Sequence, residues 1–480
     1  MKSIITIPFT SFSNIRTENN SGQLETADNV YHDLSGYKPI KELSSDGTSI
    51  IDWYANGNLG SMIAGFSVGA DDFYGSVEYN ILVIYTLESG AEWEIYTSVG
   101  VSDTWTSRGT IAKSSTSDFI DFIKWGTNVI AVSGTMTPLI LDLTNVGAGF
   151  VTLTGSPPPA TTCCVVDDFV LFANTYEGAA WYRSRIWNSA INDETGWTAG
   201  TNLADYDDNP ELGYIYKIVG GQYATVFAEH GIAIMQRVGG EVGWQIDVVE
   251  YHAKKISPAS VISVGNQIYY AANTGFYRFD GQISHLLSPE NYETEVDISK
   301  FDFPFILMSA HDPDEKCIIW SYGTLTQIVY NYKYDQFTTI TPTATGVSGA
   351  TNARYQVMTG IDDNIFKPLF IGFDSTNTQY NVYSHGTTDL TPDVQTGFYE
   401  LIPNQWATIT RVDTIAEGVT SENIDILAYD DTKTLIDTVT VSDVGGGKLR
   451  QTGRYFKFQV QSDFSRLSGL KIEYIGRGKR

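Results

Sequence analysis

Residues 261–281 read VISVGNQIYYAANTGFYRFDG, and the fold is decided in this stretch. Val261 to Val264 is an apolar run that breaks at Gly265-Asn266 and is answered by Gln267 to Tyr270. Asn273-Thr274-Gly275 breaks the chain again, and Phe276 to Phe279 ends at Asp280-Gly281. Tight hairpins need residues that tolerate positive φ, so Gly-Asn and Asp-Gly between short β-rich runs predict successive antiparallel strands.

Working outward, the same texture recurs on both sides, and no window carries a helical stripe. Ile81 to Tyr85 turns at Ser89-Gly90 into Trp93 to Tyr96; Phe119 to Ile123, Val129 to Val132 and Leu139 to Leu143 form the next group. Val165-Val166, Phe169 to Phe172 and Tyr182 to Trp187 make a third, and Ile215 to Val219, Thr225 to Phe227, Ile232 to Met235 and Trp244 to Val249 a fourth. After residue 281 come Cys317 to Trp320, Ile328 to Tyr332 and Phe337 to Ile340, with a less regular group ending near Tyr383. Groups of three or four strands at a spacing of about 40 residues predict propeller blades. The expected fold is all-β: a six- or seven-bladed β-propeller over 49–386, followed by a small β-sandwich-like module over 395–480. Two β-sandwiches in series produce a similar pattern. In the C-terminal module the strands are longer and alternate cleanly, as in Leu470, Ile472 and Tyr474 against Lys471 and Glu473. Residues 1–48 lack blade texture and are expected as an arm or platform, or as strands that pair with the C-terminal module.

Composition narrows the function. The 480 residues carry 56 acidic and 30 basic side chains, a formal charge of −26, which disfavours a groove that grips a phosphate backbone. Such charge keeps a large protein soluble, and an acidic wall would also let a polyanion pass without sticking. The three cysteines, Cys163, Cys164 and Cys317, form no disulfide framework and fit a chain folded in a reducing cytoplasm. Pro8 interrupts the short apolar run at Ile4, Ile5 and Ile7, and no run approaches the ~20 apolar residues of a membrane span.

Catalytic and metal-binding patterns are missing. The six histidines (His32, His230, His252, His285, His311, His385) lack metal-ligand spacing, and no P-loop, nucleophile elbow or dinucleotide fingerprint occurs. No catalytic residue, metal site or cofactor is expected. Acidic clusters at Asp205, Asp207 and Asp208, at Asp312-Pro313-Asp314-Glu315 and at Asp430-Asp431 offer carboxylate pairs of the kind glycosidases use, but Asp is also a standard turn residue. The segments nearest a sialidase-type Ser-x-Asp-x-Gly-x-x-Trp turn, Ser45-Asp46-Gly47 before Trp53 and Ser102-Asp103-Thr104-Trp105, miss the spacing. Trp187, Trp197 and Trp244, read as exposed, could stack on sugars; packing between blades is the commoner role.

Three stretches resemble one family, the tail nozzle or tail-hub proteins of short-tailed bacteriophages (the packaged-DNA stabilisation, or tubular tail protein B, class). The first is Tyr182-Arg183-Ser184-Arg185-Ile186-Trp187 through Asp193, closing on Gly196-Trp197-Thr198. The second and most specific runs from Gly220 to Ser284, with Gly231, Val238-Gly239-Gly240, Ser257-Pro258, Gly275-Phe276 and Asp280-Gly281. The third is Gly453-Arg454-Tyr455-Phe456 with Leu467-Ser468-Gly469-Leu470 and a basic Gly-Arg-Gly-Lys-Arg tail. Ala233 and Lys254-Lys255 depart from the family pattern.

The motif residues Arg185, Trp187, Trp197, Gly231, Gly239, Pro258, Gly275, Phe276, Asp280, Gly281, Gly453, Arg454 and Tyr455 are structural turns and strand edges. The resemblance implies a homo-hexameric ring in the virion tail, assembled in the host cytoplasm. An adaptor or portal ring would sit above it, a fibre or tailspike outside, and a needle or plug at the tip. Double-stranded DNA would transit it without sequence-specific binding. The competing expectations are a glycan-binding or glycan-cleaving propeller for host recognition, and an unassigned recognition or scaffold module.

Overall fold

The run that begins near Val261 forms a four-stranded antiparallel sheet in sequence order: Ile262–Val264, Gln267–Ala272, Gly275–Phe279 and Ser284–Leu287. Gly265 sits at φ +60 in the first turn, a conformation that a Cβ penalises. The structure is a computed structural model. It describes residues 2–9, 24–33, 36–45, 51–52, 61–72, 75–86, 92–99, 105–112, 119–239, 243–287, 307–321, 327–341, 355–357, 359–360, 368, 370–374, 379–421, 423–442 and 447–478. The expected turn at Ser89-Gly90, the Asp46-Gly47, Trp53 and Ser102 to Thr104 parts of the near-miss segments, Gly240 and the last two residues of the basic tail lie outside the described residues.

Seven such sheets follow one another among the described residues. Blade 1 comprises Ser61–Asp72, Gly75–Thr86, Glu92–Val99 and Thr106–Ala112; blade 2 comprises Asp121–Trp125, Asn128–Ser133, Met136–Asp142 and Val151–Thr152. Blade 3 is Ala160–Val166, Phe169–Glu177, Ala180–Asn188 and Asp205–Asp208; blade 4 is Ile215–Val219, Ala224–Ala228, Gly231–Arg237 and Trp244–Tyr251. The sheet at 262–287 is blade 5, and Met308–Asp312, Cys317–Ser321, Gln327–Asn331 and Gln336–Ile340 are blade 6. Blade 7 takes Tyr355–Val357, Phe370–Asp374 and Gln379–Asp389, and its outermost strand is Lys41–Ser45 from the other end of the chain.

First strands of successive blades lie against one another, with Asp121–Trp125 beside Ala160–Val166 beside Ile215–Val219, and Ile262–Val264 beside Met308–Asp312. Thr359–Gly360 pairs in parallel with blade 1 at Phe66 and Ser67, which joins the seventh sheet to the first. Sheets stacked radially in chain order and closed end to end are a β-propeller. The fold is therefore an all-β propeller, with seven blades among the described residues.

Apolar cores fill the seams. Ile130, Val132, Cys163, Val170, Phe172 and Trp197 pack between blades 2 and 3, and Phe227, Ile232, Ile268, Tyr270 and Phe279 between blades 4 and 5. Each fully buried large side chain contributes about 1.5–3 kcal/mol, so stability is distributed around the ring instead of residing in one centre.

The remaining strands form a sandwich. One sheet orders Val30–Asp33, Gly36–Pro39, Arg466–Gly478, Trp406–Glu417 and Gly447–Gly453, with Lys2–Pro8 also on Arg466–Gly478. The other orders Leu24–Asp28, Asp393–Thr396, Tyr455–Val460, Ile424–Tyr429 and Leu435–Val441, and it continues into blade 6 through the parallel pair Asp28 and Thr339. Ile409, Val412, Ile426, Phe456, Phe458 and Leu470 share one core cluster with Phe276, Trp320 and Tyr330 of blades 5 and 6. The 1–48 segment is thus divided: Lys2–Pro8, Leu24–Asp28, Val30–Asp33 and Gly36–Pro39 enter the sandwich, and Lys41–Ser45 enters the propeller. Among the described residues no helix is long and apolar enough to cross a membrane.

Candidate functional site

Three polar clusters in the propeller each join ionisable side chains of opposite charge. Nearest the axis, Asp121 starts the first strand of blade 2 and is buried. Its Oδ2 accepts from Thr162 Oγ1 at 2.7 Å and from the Cys163 N–H at 3.0 Å, both in the first strand of blade 3. Its Oδ1 accepts from Lys217 Nζ in the first strand of blade 4. Thr162 Oγ1 in turn accepts the Ile218 N–H at 3.2 Å. One carboxylate therefore ties three blades together. Burial, followed by the Asp121 charge, pushes the Cys163 thiol well above its ordinary range, the environment of a buried structural cysteine.

The second cluster contains the expected Arg185 and Trp187, both on Ala180–Asn188 of blade 3. Arg185 makes a two-pronged pair with Asp208 on the neighbouring strand (Nε–Oδ1 2.8 Å, Nη2–Oδ2 2.6 Å) and reaches Glu177 at 3.4 Å. Tyr182 and Tyr206 sandwich the guanidinium at 3.8 and 4.0 Å, and Trp187 Nε1 donates to Glu177 at 2.9 Å. The hydrogen bond from Arg185 holds the Asp208 carboxyl below its ordinary range, whereas burial and the charges of Asp205 and Asp208 raise that of Asp207.

The third cluster lies between blades 4 and 5. Glu250 takes Lys254 Nζ on one oxygen at 2.8 Å and the Ser284 N–H on the other at 2.7 Å. Lys254 also stands 4.3 Å over the Tyr277 ring, and Tyr270 donates to Ser284 Oγ at 2.9 Å. His252 Nδ1 accepts the Lys254 N–H at 3.1 Å, and its buried Nε2 has no hydrogen-bond partner among the described residues. Burial, with Lys254 alongside, lowers the imidazole to about 4.

The other motif residues are dispersed. Trp197 stacks on Phe172 at 4.5 Å, and Phe276 packs 4.6 Å from Trp320. Pro258 opens the turn Pro258–Ser260 leading into blade 5, whose Ser260 carbonyl accepts Trp320 Nε1 from blade 6 at 3.1 Å. Asp280 Oδ1 accepts the Gln282 and Ile283 N–H groups at 2.9 Å each, and its Oδ2 lies 2.9 Å from His285 Nε2. These bonds, the Ile283 N–H foremost, hold its carboxyl low, and Gly281 follows at φ +98.

Gly231 starts the third strand of blade 4, Gly239 follows that strand, and Gly275 starts the third strand of blade 5. In the sandwich, Gly453 ends its strand and Arg454 pairs with Glu400 and, at 3.3 Å, with Asp431. The Arg454 guanidinium lies 4.9 Å from the Tyr455 ring.

One expectation changes. Trp187, Trp197 and Trp244 are all buried, at 8%, 5% and 8% exposure, so none presents a platform for a sugar. Each indole closes a seam, Trp244 edge-on to Phe169 at 5.4 Å across blades 3 and 4. The acidic clusters also resolve into turns and braces. Asp312 Oδ1 accepts the Asp314 and Glu315 N–H groups, Asp430 Oδ1 accepts those of Thr432 and Thr434, and Asp208 and Asp431 face arginines. Among the described residues no group of three His, Cys, Asp or Glu side chains is arranged to hold a metal ion.

The axial tie went unread in the sequence. Its signal is an acid and a base that each interrupt an apolar run, Ile120-Asp121-Phe122 and Tyr216-Lys217-Ile218.

Fold and clusters together define, among the described residues, a seven-bladed propeller fused to a sandwich, with ionisable side chains bracing strands within blade 3 and across blades 2 to 4 and 4 to 5. No family model matches the chain, nor does any curated protein. Solved structures similar to it include BamB from Moraxella catarrhalis, at 12% identity and TM-score 0.38 over 80% of this chain and 98% of that one. Another is the β-propeller domain of Cps50 (Swd1) from Myceliophteria thermophila, at 9% identity and TM-score 0.32 over 57% of this chain and 98% of that one. At that distance the fold assignment rests on the chain's own strand order and ring closure.

Proposed function

We propose that this chain is a non-catalytic structural subunit of the tail of a short-tailed bacteriophage, forming the nozzle ring that retains and then conducts the genome. The observation that carries the reading is the resemblance in Gly220–Ser284, whose motif residues coincide with the turns and strand starts of blades 4 and 5. The polar clusters support a structural role, because Asp121, Lys217, Arg185, Asp208, Glu250 and Lys254 are engaged in contacts that hold strands together. The bore would lie between copies, and if enough of the −26 formal charge of each subunit lines it, exiting DNA is repelled from the wall.

Electron microscopy of tail complexes, with an antibody against this chain as marker, tests the reading. The expected result is a closed ring of this chain on the portal axis. Absence of the chain from virions, or its presence only as a monomer, rejects it.

A further inference from the structure

Among the described residues the main chain crosses between sandwich and propeller at two places. One is Ile40, between Gly36–Pro39 of the sandwich and Lys41–Ser45 of blade 7. The other is Leu390 to Pro392, between Gln379–Asp389 of blade 7 and Asp393–Thr396 of the sandwich. The crossings run side by side, the Leu390 N–H donating to the Ile40 carbonyl at 2.8 Å. Two adjacent strands passing between two bodies have the geometry of a hinge, because only a few residues there need to change φ and ψ for one body to rotate on the other.

A single residue, Asn29, ties both crossings to a third point, the Ile40 crossing through its backbone and the Thr391 crossing through its side chain. The Asn29 carbonyl accepts the Ile40 N–H at 3.0 Å, and its Nδ2 donates to the Thr391 carbonyl at 3.1 Å. On the other side its N–H donates to the Thr339 carbonyl at 2.9 Å, and its Oδ1 accepts the Thr341 N–H at 2.9 Å, both at the end of blade 6. Asn29 lies at φ +59, where the chain leaves one sheet of the sandwich for the other, and asparagine is among the few residues that occupy this region readily.

Direct strand pairing at the junction is thin. Asp28 with Thr339 is the one register pair between Leu24–Asp28 and Gln336–Ile340, reinforced by Thr339 Oγ1 donating to Asp28 Oδ1 at 2.9 Å. We infer that Asn29 is a bolt across a two-strand hinge, fixing the angle between sandwich and propeller by binding both crossings to blade 6. This stands independently of the nozzle reading. The apolar cluster shared by sandwich and blades 5 and 6 keeps the bodies in contact without the bolt, so removing it loosens the angle and leaves each body folded.

The test uses the full chain with Gln245→Cys on the outer strand of blade 4 and Thr438→Cys on the outer strand of the sandwich, both exposed. Cys163, Cys164 and Cys317 are buried, so spin labels go to the introduced pair. Asn29→Gly keeps the left-handed backbone and deletes both side-chain bonds. It is expected to broaden the label-to-label distance distribution at least twofold, with unchanged amide exchange in residues 224–235. Asn29→Asp, which keeps the acceptor for Thr341, is expected to fall between wild type and Asn29→Gly. A wild-type width in Asn29→Gly overturns the inference, as does broadening accompanied by loss of protection in 224–235, which reports general destabilisation.

Discussion

Replacing Asp121 by alanine should be among the most damaging single changes in the propeller, because its side chain is 3% exposed and that of its partner Lys217 14%. Removing one member of a buried ion pair costs about 3–5 kcal/mol, since the other charge stays desolvated and uncompensated. The Cys163 N–H and the Thr162 hydroxyl also lose their acceptor, and a buried unsatisfied donor costs about 1–3 kcal/mol. These terms overlap, so Asp121→Ala is expected to lose about 4–6 kcal/mol, against a total stability of ~5–15 kcal/mol for an ordinary domain. Urea unfolding followed by tryptophan fluorescence reads the loss, because Trp187 and Trp197 lie in the adjoining seam. Lys217→Met added to Asp121→Ala removes the stranded ammonium and should recover at least about 1–2 kcal/mol. A double variant that unfolds with Asp121→Ala, within about 0.5 kcal/mol, would refute the reasoning. The pair would then be solvated and the axial tie only geometric.

Further outcomes follow from the same structure. Gly220→Ala should destabilise severely, because a Cβ there would lie 1.9 Å from the Val165 carbonyl oxygen of the neighbouring blade; a Tm near wild type would show that the two strands can part. Gly178→Ala, at φ +56 with open space around it, should cost only about 1 kcal/mol by the same melting assay. Arg185→Lys keeps the charge but loses the two-pronged contact to Asp208 and the stacking between Tyr182 and Tyr206, for an expected loss of about 1–2 kcal/mol in urea. Acidification should weaken the chain at His252. Its imidazole takes a proton near pH 6.5 when unfolded and only near 4 when folded, so its stability contribution is intact above 6.5 and drains away as the pH falls to about 4. After allowance for solvent screening the loss is about 1–2 kcal/mol. His252→Asn, which keeps an acceptor for the Lys254 N–H, should flatten that part of the stability–pH curve, and an unchanged slope would assign the effect to other groups.

Strands specified by their own turns were legible in the sequence. Turn chemistry at Gly265-Asn266 and Asp280-Gly281, with apolar runs on either side, placed the strands of blade 5 because a hairpin is specified by its own few residues. The destination of Lys41–Ser45 had no such local signal, since its partners Tyr383 to His385 lie some 340 residues further along. The same holds for Gly447–Gly453, a strand whose polar sequence, Gly-Lys-Leu-Arg-Gln-Thr-Gly, shows no alternation but which is held by its pairing to Trp406–Glu417. Tryptophan burial misled in the opposite way. An indole with a polar N–H sits comfortably at a seam, as Trp187 does by donating to Glu177, so an irregular polar neighbourhood did not mean a solvent-facing ring. The braces were the least legible, because an acid at 121 and a base at 217 acquire meaning only once three blades bring them together.

The outermost strand of blade 7 has a consequence for synthesis. Lys41–Ser45 leaves the ribosome before the four-stranded blades 1 to 6, whereas the strand it completes, Gln379–Asp389, emerges after them. Until then the growing propeller is an open arc with a solvent-facing seam at either end, and its stability should rise steeply only when the two ends meet. Release of a chain truncated before residue 379 would leave that arc permanently unlatched, a natural substrate for chaperones and proteases.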